Sequence, residues 1–215
     1  MISQSAWRRR HVAPTTKEAG LVQDGKVFRL FGEGGDCALL EFHPHRIDLR
    51  MEVFFARVSM IPRPERVWGY RQHWDQAKDL APLAAEAMLH WDLIPPPPVA
   101  LEPDADMPAR GYWTYGPGVD PDVCAEALVG MLREQTFPEM RRLLDRDALL
   151  AEMRDPSRDS HRWRPPGWAA VLLNSDRVAP DELEPLLDEV ERDYPVADEF
   201  ISWARAQAAG GSPTR

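Results

Sequence analysis

The chain has almost no cysteine, no long apolar run and no familiar catalytic signature. Cys37 and Cys124 are the only cysteines among 215 residues. Both fall on apolar patterns, so reduced, buried thiols are expected rather than a disulfide framework. No stretch approaches the roughly 18 consecutive apolar residues that span a bilayer. Arg8, Arg9 and Arg10 have no apolar run behind them, which argues against an ordinary signal peptide. A cytoplasmic location with no membrane partner is the expectation.

Other absences narrow the chemistry. There is no Gly-x-Gly-x-x-Gly. Gly32 to Gly35 is glycine-rich but lacks the lysine and following helix of a phosphate loop. No Gly-x-Ser-x-Gly elbow occurs. The net charge of −9 opposes general nucleic-acid binding, because neutralising phosphates takes a basic surface. Nothing calls for a cofactor or a resident metal.

What the chain does contain is ordinary in bulk: 44% apolar and 28% charged residues suit a soluble globular protein of one large domain. Its 21 prolines predict many chain reversals, and its eight tryptophans predict small satellite cores beneath loops. The acidity is uneven. From Asp176 to Glu199 ten acidic residues face only Arg177 and Arg192. Asp181, Glu182, Glu184, Asp188, Glu189 and Glu191 form the core of this end, which is either a solvated helix face or a docking surface for a basic protein.

The clearest pattern runs from Lys26 to Ile61. Period-two alternation there predicts a three-strand meander. One face carries Phe28, Leu30, Ala38, Leu40, Phe42, Phe54, Ala56, Val58 and Met60, a core face. The other carries Val27, Arg29, Phe31, Cys37, Leu39, Glu41, His43, Val53, Phe55, Arg57 and Ser59, apolar rims around a polar centre. Glu41 is expected to pair across strands with either arginine.

Around this meander the expectations are as follows. Residues 1 to 12 read as a frayed, solvated tail, with a short helix from Pro14 to Ala19 closed by Gly20. Gln23-Asp24-Gly25 reads as a turn. A helix is predicted from Gln72 to Leu89, kinked or broken at Pro82. Trp91 to Ile94 reads as a short strand or loop entry. Pro95 to Pro98 predict polyproline II geometry at the head of a connection over residues 95–110. Gly111 to Tyr115 reads as an edge strand or lid. Asp120 caps a helix with Pro121 at its first position. Further helices are expected near 137–153, 167–174, 181–192 and 196–208, with a disordered tail at 209–215. The whole reads as α+β: a small antiparallel sheet packed on helices, then a helical section of the same domain. Residues 1–94 hold the sheet, and 111–208 hold the edge strand and the C-terminal helices.

Ala19-Gly20-Leu21, Gly25-Lys26-Val27-Phe28-Arg29, the strand Ala38 to Phe42, and Glu52 to Pro62 ending in Val-Ser-Met-Ile-Pro together resemble the opening of a bacterial family called domain of unknown function 4304. The resemblance covers residues 14 to 150. It implies an α+β fold and carries no established activity, so it assigns no catalytic residue.

Three clusters have residue types that support chemistry. Arg29, Glu41, His43, Arg57 and Ser59 share a sheet face. A guanidinium pair there would hold an anionic ligand, with His43 as a base, and the competing account is a cross-strand charge ladder. His43-Pro44-His45-Arg46 is the nearest approach to a metal motif. Its two rings are expected on opposite sides, so a shared ion would need a bend at Pro44 and a further ligand from Glu41, Glu52 or His11. His161-Arg162-Trp163-Arg164 has the makings of a base-stacking patch, though a polar loop with its tryptophan tucked inward suits an acidic protein better. The expected function is non-enzymatic, a protein that docks or neutralises a basic partner through its acidic end. The alternative is an anionic-ligand binder or hydrolase-like enzyme using the polar sheet face.

Overall fold

The computed structural model describes residues 2–45, 50–101, 111–156, 160–194 and 197–210. The fold is α+β. Its centre is an antiparallel sheet of β1 (Val22–Asp24), β2 (Val27–Phe31), β3 (Cys37–His45), β4 (Glu52–Ile61), β5 (Leu89–Asp92), β6 (Trp113–Tyr115) and β7 (His161–Arg162). The order is β1-β2-β3-β4-β5-β7. The outer edge of β4 is shared: β5 pairs with Arg57 to Met60, and β6 pairs with Glu52 to Phe54.

The predicted meander is present, and its register puts Leu40 opposite Phe28 and Val58, and Phe42 opposite Ala56. The expected core face is buried throughout, with Leu30 half-buried at its margin. Gln23-Asp24-Gly25 is not simply a turn. Val22 to Asp24 form a strand, and the turn is Gly25-Lys26, where Gly25 at φ 61° adopts a conformation that side chains disfavour.

The first residues are not a tail. Helix α1 (Gln4–Glu18) starts at a Ser3 cap that accepts from the Ala6 N–H, and Pro14 lies inside it. Trp7 is fully buried, stacks on Tyr115 at 5.0 Å and donates its indole N–H to the Pro121 carbonyl at 2.9 Å.

The helix expected over Gln72 to Leu89 does not form. In its place are α2 (Arg63–Gly69), the single turn α3 (Trp74–Ala77), a 3-10 turn at Ala84–Glu86, and then β5. Pro82 removes a helical donor, and Met88 and Leu89 gain more as sheet, where Met60 accepts from the Met88 N–H and pairs with Leu89. Leu80 and Leu83, counted in the expected stripe, are exposed. Pro97 and Pro98 leave polyproline II geometry for a 3-10 turn at Pro97–Val99 that buries Val99. Gly111 is required beside them, since a Cβ there would lie 2.6 Å from Pro95 Cδ.

The C-terminal section is helical: α4 (Pro121–Met131), α5 (Phe137–Leu143), α6 (Arg146–Arg154), α7 (Pro166–Asn174), α8 (Pro180–Asp193) and α9 (Asp198–Gly210). Asp120 caps α4 as expected. A π-helical turn, Leu132–Thr136, joins α4 to α5 where Pro138 cannot donate. α9 runs to Gly210, past its expected end. α7 and α9 dock on α2 through Trp68, Trp168, Phe200 and Trp203, with Trp168 and Phe200 stacked at 4.1 Å. A half-buried Arg146 ties α6 to Asp36, at 2.8 Å, and to Asp176.

Candidate functional site

The polar face of the meander divides into two regions. Towards one end, Cys37, Leu39, Ile61 and Ala87 make a second apolar cluster, with Val27 and Ala84 against it. The cover is the segment after α3. Arg29 is buried there and donates to the Pro82 carbonyl at 3.0 Å and to Asp24 at 3.3 Å. Ser59 is fully buried, and its Oγ has no hydrogen-bond partner among the described residues.

The other region holds Glu41, His43 and Arg57. Arg57 does not pair with Glu41, although the two are directly opposite in register. It turns outward to Asp92 on β5, with Nε to Oδ1 at 2.7 Å and Nη2 to Oδ2 at 3.2 Å. Arg29 and Arg57 are thus drawn towards β1 and β5 respectively, and each is neutralised by a carboxylate. The expected guanidinium pair does not converge. Glu41 is left with His43, their Oε2 and Nε2 3.6 Å apart. Both atoms are buried without a hydrogen bond. The neighbouring His43 ring, against the opposing effect of burial, holds the Glu41 carboxyl below its ordinary range, and Lys26 and Arg29 act in the same direction.

His43 and His45 lie on one side of β3, not on opposite sides, as a period of two requires. His43 stacks on Phe55 at 4.4 Å and His45 lies 5.0 Å from Tyr112. His11 is committed elsewhere, 3.5 Å from Asp122. Among the described residues no group of His, Cys, Asp and Glu is placed to hold a metal. Arg46 lies outside them.

The patch around His161 also differs from expectation. His161 and Arg162 are strand residues paired with β5. Trp163 is not tucked inward. It is 56% exposed, and its indole N–H donates to His90 Nδ1 at 3.1 Å. Arg164 is committed to Glu65 in a bidentate pair.

The acidic end is built on α8. Leu183, Leu187 and Val190 bury one stripe, which turns the carboxylates outward. Asp181, Glu182, Asp188, Glu189 and Glu191 are exposed. Glu184 forms a bidentate pair with Arg205 of α9 at 2.8 and 2.9 Å, which lowers its carboxyl pKa. Among the described residues none of the other five has an ion pair.

Two further features bear on chemistry. Burial pushes both thiols, Cys37 and Cys124, up to about 12, so neither is a nucleophile at neutral pH. Both are free, as expected. Gln4 and Arg8, by contrast, are buried polar residues in a stretch that reads as a tail. Trp7, a large aromatic in an otherwise polar stretch, was the signal that these residues fold inward.

Among the described residues no helix is long and apolar enough to cross a membrane. No protein-family model matches the chain, and neither a curated protein nor a solved structure matches it.

Proposed function

We propose that this chain is a cytoplasmic binding protein that docks a basic protein partner through the outer face of α8. The observation that carries this reading is the row Asp181, Glu182, Asp188, Glu189 and Glu191, exposed and without ion pairs on a helix whose inner stripe is anchored. Unneutralised carboxylates on a rigid element raise the local concentration of a cationic surface and speed its encounter. The free, buried thiols support a reducing compartment. The resemblance to domain of unknown function 4304 supplies no activity that competes with this reading.

The test is affinity capture with the full chain at low and high salt. A variant carrying Asp181→Asn, Glu182→Gln, Asp188→Asn and Glu189→Gln serves as the comparison. A basic partner held at low salt, released at high salt and lost by the variant supports docking. Equal capture by both proteins refutes it.

One observation favours a second reading, a small-ligand or hydrolase-like centre on the sheet. Glu41 Oε2 and His43 Nε2 are buried 3.6 Å from each other, and neither makes a hydrogen bond among the described residues. Because Arg29 and Arg57 are already paired, such a centre would work through the carboxylate and imidazole rather than an anion clamp. A thermal-shift screen against nucleotides and metabolites tests it: a stabilising compound must lose its effect in both Glu41→Gln and His43→Ala.

A further inference from the structure

A cleft of about 530 Å³ lies between α1 and β1, with Arg9, Ala13, Thr16, Lys17, Leu21 and Gln23 in its walls. That volume is within the range of small-molecule sites. The local fold makes the cleft. Gly20, at φ 84°, reverses the chain at the end of α1, and the Leu21 N–H returns to the Thr16 carbonyl at 2.9 Å. Leu21 and Gln23 are thereby brought beside the second half of the helix.

Its chemistry changes along its length. Arg9, Ala13 and Lys17 are spaced by four and follow one another along one side of α1. Arg9 and Lys17 are two turns apart, a rise of about 12 Å. Both are exposed, and among the described residues neither has an ion pair. Other arginines differ: Arg29, Arg57, Arg66 and Arg146 each hold a carboxylate. The acids closest to the cleft in sequence are drawn away, Glu18 to Arg133 and Asp24 to Arg29. Among the described residues no carboxylate lines the cleft. Between the two cations the wall is apolar, made by half-buried Ala13 and buried Leu21. The Thr16 hydroxyl is committed to the Val12 and Ala13 carbonyls, and the Gln23 amide donates to the Gly25 carbonyl at 3.0 Å. The cleft therefore offers a cation, an apolar wall and a second cation.

We propose that this cleft binds a linear aliphatic dicarboxylate, with one carboxylate on Arg9, the other on Lys17 and the methylenes along Ala13 and Leu21. The guanidinium fork takes its carboxylate in a bidentate pair, and the ammonium takes the other as a point charge. The methylenes remove apolar wall from water. A compact anion such as phosphate leaves that wall wet, and it meets both cations only if two long side chains give up their freedom to converge. A fatty monocarboxylate covers the wall but leaves one cation unanswered. The net charge of −9 opposes anions in general, so a ligand must recover that cost by pairing at both ends. The cleft shares no residue with the α8 face or the Glu41–His43 pair, and its occupancy is independent of either reading of function.

The test titrates the full chain with suberate, succinate, octanoate and inorganic phosphate at matched ionic strength and follows backbone amides by nuclear magnetic resonance. Suberate is expected to give saturable shifts concentrated at Ala13, Lys17, Leu21 and Gln23, and to bind several-fold more tightly than the other three. Arg9 and Lys17 are exposed, so their substitution leaves the fold intact. Arg9→Gln and Lys17→Gln are each expected to weaken suberate by about threefold, the worth of an exposed ion pair, and by about tenfold together. Arg10→Gln removes an exposed charge outside the cleft and is expected to leave binding unchanged. The proposal is overturned if suberate does not saturate, if its shifts fall elsewhere, or if succinate, octanoate or phosphate binds as tightly. It is equally overturned if the double variant binds like wild type, or if Arg10→Gln costs as much as Arg9→Gln.

Discussion

Arg146 holds two carboxylates at once, Asp36 from the turn before β3 and Asp176 from the end of α7. Asp36 also accepts from the Arg63 N–H at 2.7 Å, so one side chain locks sheet, α2 and α6 together. Removing the cation strands a buried carboxylate. Arg146→Met is expected to cost about 3 kcal/mol in urea unfolding, and adding Asp36→Asn should recover part of that loss. A second residue-level expectation concerns acid. The Glu41 carboxyl is held below its ordinary value by His43. A group depressed in the folded state contributes stability above its unfolded value of about 4.3, and that contribution disappears as pH falls through the folded value. Unfolding free energies measured across the acid range should therefore fall less steeply in Glu41→Gln than in wild type. An identical acid limb in the two proteins would show that the pair contributes nothing. Neither arrangement was legible beforehand. Register placed Glu41 opposite Arg57, and only the position of β5 explains why Asp92 takes the arginine instead.

Among the elements, α1 departs most from its appearance. Its hydrophobic residues are few, and Arg8-Arg9-Arg10 gives it the look of a solvated end. A single tryptophan reverses that. Trp7 packs 5.4 Å from Phe54 and 5.0 Å from Tyr115, closing the core over the β4–β6 end of the sheet. Trp7→Ala is expected to cost about 3–5 kcal/mol by chemical denaturation, a loss no frayed terminus would show. The stretch from Gln72 to Leu89 errs in the opposite direction. Its helical stripe is real in sequence, but β4 offers Met88 and Leu89 an open edge, and pairing with that edge satisfies their backbone while burying both side chains. The meander, α4, α7 and α8 needed no such arbitration, because alternation, caps and amphipathic stripes agree in each of them.

In the whole molecule, one apolar cluster runs from Trp7 on α1 to Ala208 on α9 and includes all the sheet's helix-facing residues. The proline-rich connection does not divide it, since Leu93 on one side and Trp113 on the other belong to the same cluster, as does Val99 within it. Thermal unfolding should accordingly be a single cooperative transition by both far-ultraviolet circular dichroism and tryptophan fluorescence. Cleavage at a protease site introduced within residues 102–110 should leave two pieces that co-migrate. Two separated transitions, or pieces that part and stay folded, would contradict a shared core. The α+β class, the meander with its core face, the reduced thiols and the acidic α8 were all decided by the sequence, because each rests on a local period, a cap or a composition. Which polar side chains meet was decided only by the tertiary structure. The turn of Arg57 to Asp92, the cover that Pro82 gives Arg29 and the burial of Arg8 depend on β5, the segment after α3 and α1 packing on the meander from elsewhere in the chain, and no local pattern encodes a contact between such segments.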